Sequence, residues 1–123
     1  MEVHEIDFYT GFEGESELIF IQKVDGHQSK LILWEGYFDR MMENIYFSST
    51  DGWIGIAYYY HLGLGCWEDE EDWEIPNLKE VVSQLEEIKM SDEDGQTYAA
   101  LKALVQFLKR AVEEKRHVSI TRY

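Results

Sequence analysis

The hydrophobic periodicity of this chain changes near Asn77, and that change limits what the chain can fold into. Before Asn77, apolar residues alternate with polar ones or form short β-branched and aromatic runs, which is the pattern of strands. Residues 2–8 alternate, with His4, Ile6 and Phe8 on one side and Glu5 and Asp7 on the other. Gly11-Phe12-Glu13-Gly14-Glu15-Ser16 reads as a loop, because its two glycines permit turns. Leu18–Val24 and Lys30–Trp34 flank Asp25-Gly26, and Asp-Gly between apolar runs is a strong hairpin signal. The same logic predicts a second hairpin, in which Asn44–Ser48 and Trp53–His61 surround Asp51-Gly52. The segment Tyr37–Glu43 between them reads equally as a helical turn or a continued strand. Residues 62–76 read as a long connection.

After Asn77 the spacing becomes helical. Leu78, Val81, Val82, Leu85 and Ile88 form one stripe, with Asn77 as N-cap and Glu80 at the capping-box position. Ser91-Asp92-Glu93-Asp94-Gly95 interrupts the pattern. A second helix over about 97–115, capped by Asp94 or Thr97, presents Tyr98, Leu101, Leu104, Val105, Leu108 and Val112. Lys109, Arg110, Lys115 and Arg116 gather at its end, where the helix dipole favours cations. The alternating Val118–Tyr123 closes the chain as a strand. Strands segregated from helices predict an α+β domain. The expected architecture is an antiparallel sheet of about five to six strands. Two C-terminal helices pack on one face, and a final C-terminal strand joins the sheet. At 123 residues with no linker or internal repeat, residues 1–123 form a single domain.

Charge is unevenly spread. The net charge is −14, yet residues 79–123 hold eight acidic and eight basic residues. Residues 1–78 hold 17 acidic residues against Lys23, Lys30 and Arg40, so the whole excess belongs to this part. No Lys or Arg occurs from residue 41 to residue 78, and that stretch contains Glu68-Asp69-Glu70-Glu71-Asp72 between Trp67 and Trp73. Such a field repels nucleic acid and anionic membranes and attracts basic proteins and cations. Carboxylates without nearby counter-charges are costly to bury, so the run is expected to face water or a cationic surface. Aromatic side chains beside charge are typical interface anchors. The candidate partner-binding residues are therefore Trp67, Glu68, Asp69, Glu70, Glu71, Asp72 and Trp73.

Catalytic and cofactor patterns are weak. Gly63-Leu64-Gly65 is half of a dinucleotide fingerprint, but Cys66, Trp67 and a run of acids follow it and would repel phosphate. Cys66 and His61 are a poor thiol–base pair, because the acids after Cys66 disfavour a thiolate. His4, His27, His61 and His117 lack metal-ligand spacing, and the acidic run lacks the alternation of a calcium loop. The expectation is a non-enzymatic domain without cofactor or metal. One cysteine excludes an internal disulfide and fits a reducing compartment. No apolar run approaches the ~20 residues of a membrane span. Met-Glu-Val-His-Glu-Ile-Asp lacks the regions of a signal peptide, so a cytoplasmic location is expected.

In outline the chain resembles the small acidic bacterial immunity proteins of polymorphic and contact-dependent toxin systems. The resemblance rests on Cys66–Pro76, the two helices and the closing Val118–Tyr123. It implies tight binding of a cognate toxin, often a basic nuclease, with acids covering the toxin's substrate site. The alternatives are a nucleic-acid mimic that occupies another basic protein, and a small enzyme or metal-binding protein using acidic residues.

Overall fold

The computed structural model describes residues 2–24, 27–45, 55–61 and 73–123. Among these, strands β1 (Glu2–Phe8), β2 (Glu17–Val24), β3 (His27–Trp34), β4 (Trp73–Glu74) and β5 (Val118–Arg122) form one sheet in the order β1-β3-β2-β5-β4. Helices α1 (Glu35–Glu43), α2 (Gly55–His61), α3 (Leu78–Glu86) and α4 (Gln96–Glu113) complete the α+β fold.

Strands β2 and β3 pair antiparallel from Glu17↔Trp34 to Val24↔His27, so the hairpin signal at 25–26 corresponds to a real pairing. The turn itself lies outside the described residues. The sheet is mixed, not purely antiparallel as expected, because β1 runs parallel to β3 from Glu2↔His27 to Phe8↔Leu33. The chain reverses between β1 and β2 and again between β2 and β3. First and third strands of such a path point the same way, so docking β1 beside β3 makes a parallel pair. Residues 9–16 must then cross the Trp34 end of β3 to reach β2. Gly11 and Gly14, at φ 105° and 96°, supply the left-handed backbone that this crossing needs. Phe12 stacks on Trp34, with ring centroids 4.1 Å apart and planes 4° from parallel. The crossing thereby closes one end of the sheet.

One sheet face builds the core. Leu18, Phe20, Leu31, Leu33, Val118 and Ile120 lie on it and are buried. They share a cluster with Phe38, Met41 and Met42 of α1, Val81, Val82 and Leu85 of α3, and Leu101, Leu104 and Leu108 of α4. Helix α4 meets β3, α1 and α3, whereas the principal neighbours of α3 are α4 and α2. β1 is an edge strand, and its Ile6 remains 42% exposed.

Several expectations change at the element level. Tyr37–Glu43 is helical and belongs to α1. Residues 55–61 form α2, not the second arm of a hairpin. The proposed turn at 51–52 and its flank at 46–54 lie outside the described residues. Asn77 precedes α3 in the left-handed region, at φ 49° and ψ 54°, and its side chain makes no cap. Its carbonyl instead accepts from the amides of Glu80 and Val81. Asparagine tolerates this backbone state better than most residues. Asp94 caps a 3-10 turn over Asp92–Asp94 rather than α4: the Ser91 hydroxyl accepts from the Glu93 amide, and the Asp94 carboxylate accepts from the Ser91 amide. Gly95, at φ 59°, then redirects the chain into α4. Thr97 is buried, and its hydroxyl oxygen accepts from Arg40 Nη1 at 3.2 Å.

Candidate functional site

Of the sequence-derived binding residues, Trp67, Glu68, Asp69, Glu70, Glu71 and Asp72 lie outside the described residues, as does Cys66. Trp73 marks where the acidic run joins the described structure. It opens β4 and pairs with Ile120, while Glu74 pairs with Ser119. The Ile75 amide donates to the Val118 carbonyl at 2.9 Å and continues the attachment. The run is therefore tethered to the outer edge of the sheet beside β5. Glu74 Oε2 stands 3.4 Å from His117 Nδ1, and both side chains are exposed.

At this edge Trp73 is half-buried, with its ring 5.0 Å from that of Tyr59. Tyr59 in turn meets Tyr58 edge-on at 5.1 Å, and Tyr58 is 46% exposed. Tyr58, Tyr59 and Trp73 thus form a strip running from the core to the exposed Tyr58, with Trp73 next in sequence to the acidic run. The strip was not legible from sequence, because an extended 53–61 puts Tyr58 and Tyr59 on opposite faces. A helix puts neighbours about 100° apart, which lets the two rings touch.

Other described aromatics pack within the fold. Tyr37 meets Phe12 and Trp34 edge-on at 5.5 and 5.1 Å, and Arg40 lies over the Trp34 ring at 5.4 Å. Tyr60 donates its hydroxyl to Asp39 Oδ1 at 2.7 Å. Burial raises the Tyr60 phenol well above its ordinary range, and the bond to Asp39 and the carboxylates of Asp39, Glu43 and Glu35 push the same way. No three His, Cys, Asp or Glu side chains stand together as a metal site among the described residues.

A second concave feature lies away from this edge. A groove of about 930 Å³ runs between the sheet and α4. Gln22 lines it from β2, and Phe107 lines it from α4. Gln22 occupies an inward position in the alternation Leu18, Phe20, Gln22, and it is only 2% exposed. A glutamine in that phase was the one available sequence signal for the groove. Lys109, Arg110 and Arg116 near the end of α4 also line it, although from sequence they read only as complements to the helix dipole. Among the described residues no helix is long and apolar enough to cross a membrane.

No family model matches the chain, and neither the curated proteins nor the solved structures contain a significant match.

Proposed function

We propose that this chain is a non-enzymatic, acidic protein-binding domain, an immunity protein that neutralises a basic toxin, and that it meets its partner through the Trp67–Trp73 segment. The observation that carries the reading is the junction at β4. There Trp73, which in sequence directly follows a run of five carboxylates in a stretch without Lys or Arg from residue 41 to residue 78, joins the sheet and meets Tyr59, itself against Tyr58. Acids of this density accelerate encounter with a cationic surface through long-range attraction. Aromatic side chains at the same place supply desolvated contact area and slow dissociation. Trp73, at the end of the segment, is itself held on a hydrogen-bonded strand edge, which limits the freedom it loses on binding.

The test uses the product of the adjoining reading frame as the binding partner, with kinetics recorded at several salt concentrations. Tyr58 is the exposed member of the strip. Tyr58→Ala is expected to speed dissociation by a factor corresponding to about 2 kcal/mol, the scale of an interface anchor, while the melting temperature stays put. Replacing Glu68, Asp69, Glu70, Glu71 and Asp72 by their amides is expected to slow association, most strongly at low salt. Unchanged kinetics in both variants would remove this edge as the binding surface.

A further inference from the structure

We propose that the open edge of β1 takes up an extended peptide segment of alternating basic and apolar residues as a further strand of the sheet, its basic side chains opposite Glu5 and Asp7 and an apolar one covering Ile6. This edge lies at the other end of the strand order from β4, and the inference does not rest on the protein-binding reading made there.

The backbone is the first ground. The order β1-β3-β2-β5-β4 leaves two edges, and they are unequal. β4 contributes Trp73 and Glu74 alone, too short a piece to template a strand. β1 contributes seven residues, paired one for one with β3 from Glu2↔His27 to Phe8↔Leu33. It holds no proline and no left-handed residue, and its register runs without a bulge. Among the described residues no strand pairs with its outer side, and Glu5, Ile6 and Asp7 are all exposed. Every second residue of such a strand turns its N–H and C=O away from the single neighbour. That row of donors and acceptors is what an added strand hydrogen-bonds.

The side chains are the second ground. Residues directly across a strand pair share a face, so Ile6, across from Leu31, lies on the core face, and Glu5 and Asp7, across from Lys30 and Ile32, lie on the other. Leu31 is fully buried, whereas Ile6, at the rim of the same layer, is 42% exposed. An apolar residue on an incoming strand would cover it. Glu5 and Asp7 are two residues apart, so the positions opposite them are also two apart, with the apolar residue between them. Asp7 accepts from the Thr10 hydroxyl and from the amides of Tyr9 and Thr10, bonds that hold its carboxyl below the usual carboxylate range and keep it charged. The same two acids turn away a second copy of this chain. Parallel pairing in register would set Glu5 on Glu5 and Asp7 on Asp7, and antiparallel pairing centred on Ile6 would set Glu5 on Asp7 twice. Like charges directly opposite are destabilising and opposite charges stabilising, so the edge selects a basic strand against its own kind.

The test titrates the peptide acetyl-TKVKVKT-amide into the isotope-labelled full chain. One-to-one saturable binding is expected, with the largest amide shifts in Glu2–Phe8 and slowed hydrogen exchange at alternate β1 residues, the signature of a new ladder. The peptide acetyl-TKKVVKT-amide has the same composition but splits its lysines between two faces, and it should bind at least about tenfold more weakly. The acidic acetyl-TEVEVET-amide should not bind. Glu5→Gln changes an exposed side chain and should weaken binding of the alternating basic peptide about threefold, the scale of one cross-strand charge pair. Lack of saturable binding by that peptide would overturn the proposal. So would equal affinity for the two lysine peptides, affinity that Glu5→Gln leaves unchanged, or binding without protection of β1 amides. Dimerisation of the chain alone with the same alternate protection in β1 would also overturn it, by assigning the edge to a second copy.

Discussion

Gly36 lies in the first turn of α1, and a Cβ at this position would stand 2.4 Å from the Trp34 ring. In an isolated helix, alanine in place of glycine gains about 1 kcal/mol. Here the added methyl group meets an indole already held by Phe12, Tyr37 and Arg40, so it cannot be accommodated without breaking that stack. Overpacking costs of about 1–3 kcal/mol decide the sign, and Gly36→Ala is expected to lower the urea midpoint. Leu104 is 1% exposed within the core cluster, and Leu104→Ala should cost about 2–5 kcal/mol in the same measurement. Tyr60 adds a dependence on pH. The fold favours its neutral phenol, whereas in the unfolded chain the group ionises at its ordinary value of 10.0. The stability from this group is fully present below that value and is lost as pH rises above it. Tyr60→Phe should therefore destabilise the protein by about 1 kcal/mol near neutrality, through loss of the bond to Asp39. The gap between wild type and variant should narrow above pH 10.0 in paired denaturation curves. A gap that widened instead would contradict the assigned direction.

At the scale of elements, α2 shows where local pattern and tertiary context part. Tyr58-Tyr59-Tyr60 has strong strand propensity, yet the segment is helical. Gly55 enters it at φ 59°, a conformation that no sequence periodicity reports. Gln84 of α3 then accepts from the Ile56 amide at 3.0 Å and caps α2 from another element. Burial of Ile56 and Ala57 and the Tyr60–Asp39 bond complete the docking. These partners are distant in sequence, which is why the segment reads as a strand on its own. By contrast, β2, β3 and α4 were legible because each carries a complete local signal: an Asp-Gly turn between apolar runs, or an apolar stripe at helical spacing. The candidate site was legible only as composition. Its charge and its tryptophans stand in the sequence, but the tyrosine strip that joins Trp73 required α2 to be a helix. Trp73 also ties β4 to the body of the protein through Tyr59, which gives a prediction at this scale. Trp73→Ala should cost about 1–3 kcal/mol of stability, because a half-buried aromatic loses much of its apolar contact. Tyr58→Ala should leave stability within about 0.5 kcal/mol, as exposed substitutions commonly do. Melting curves for the pair separate the part of the strip that holds the fold from the part left at the surface.

For the whole molecule, the parallel β1–β3 pair and the charge division are two consequences of chain order. The sheet takes β1, β2 and β3 from the acidic part and β5 from the charge-balanced part, so the two compositional regions are interleaved in one sheet. The excess of −14 sets like charges against one another along this chain. Added salt should relieve that repulsion, because screening sets in within about 10 Å at 0.1 M ionic strength. The melting temperature of the wild-type chain is therefore expected to rise from low to moderate salt. Converting Glu68, Asp69, Glu70, Glu71 and Asp72 to amides removes five of the 25 acids and should raise stability at low salt. The difference from wild type should shrink as salt is added, since both proteins then lose the same kind of repulsion. The same variant is expected to associate more slowly with a basic partner. Stability and association rate would then move in opposite directions on one set of substitutions, which is the behaviour of charge kept for an encounter at the expense of the folded state. If the amide variant were instead less stable at low salt, the acids would be serving the fold through local pairing, and the case for a partner-facing acidic segment would fall with that result.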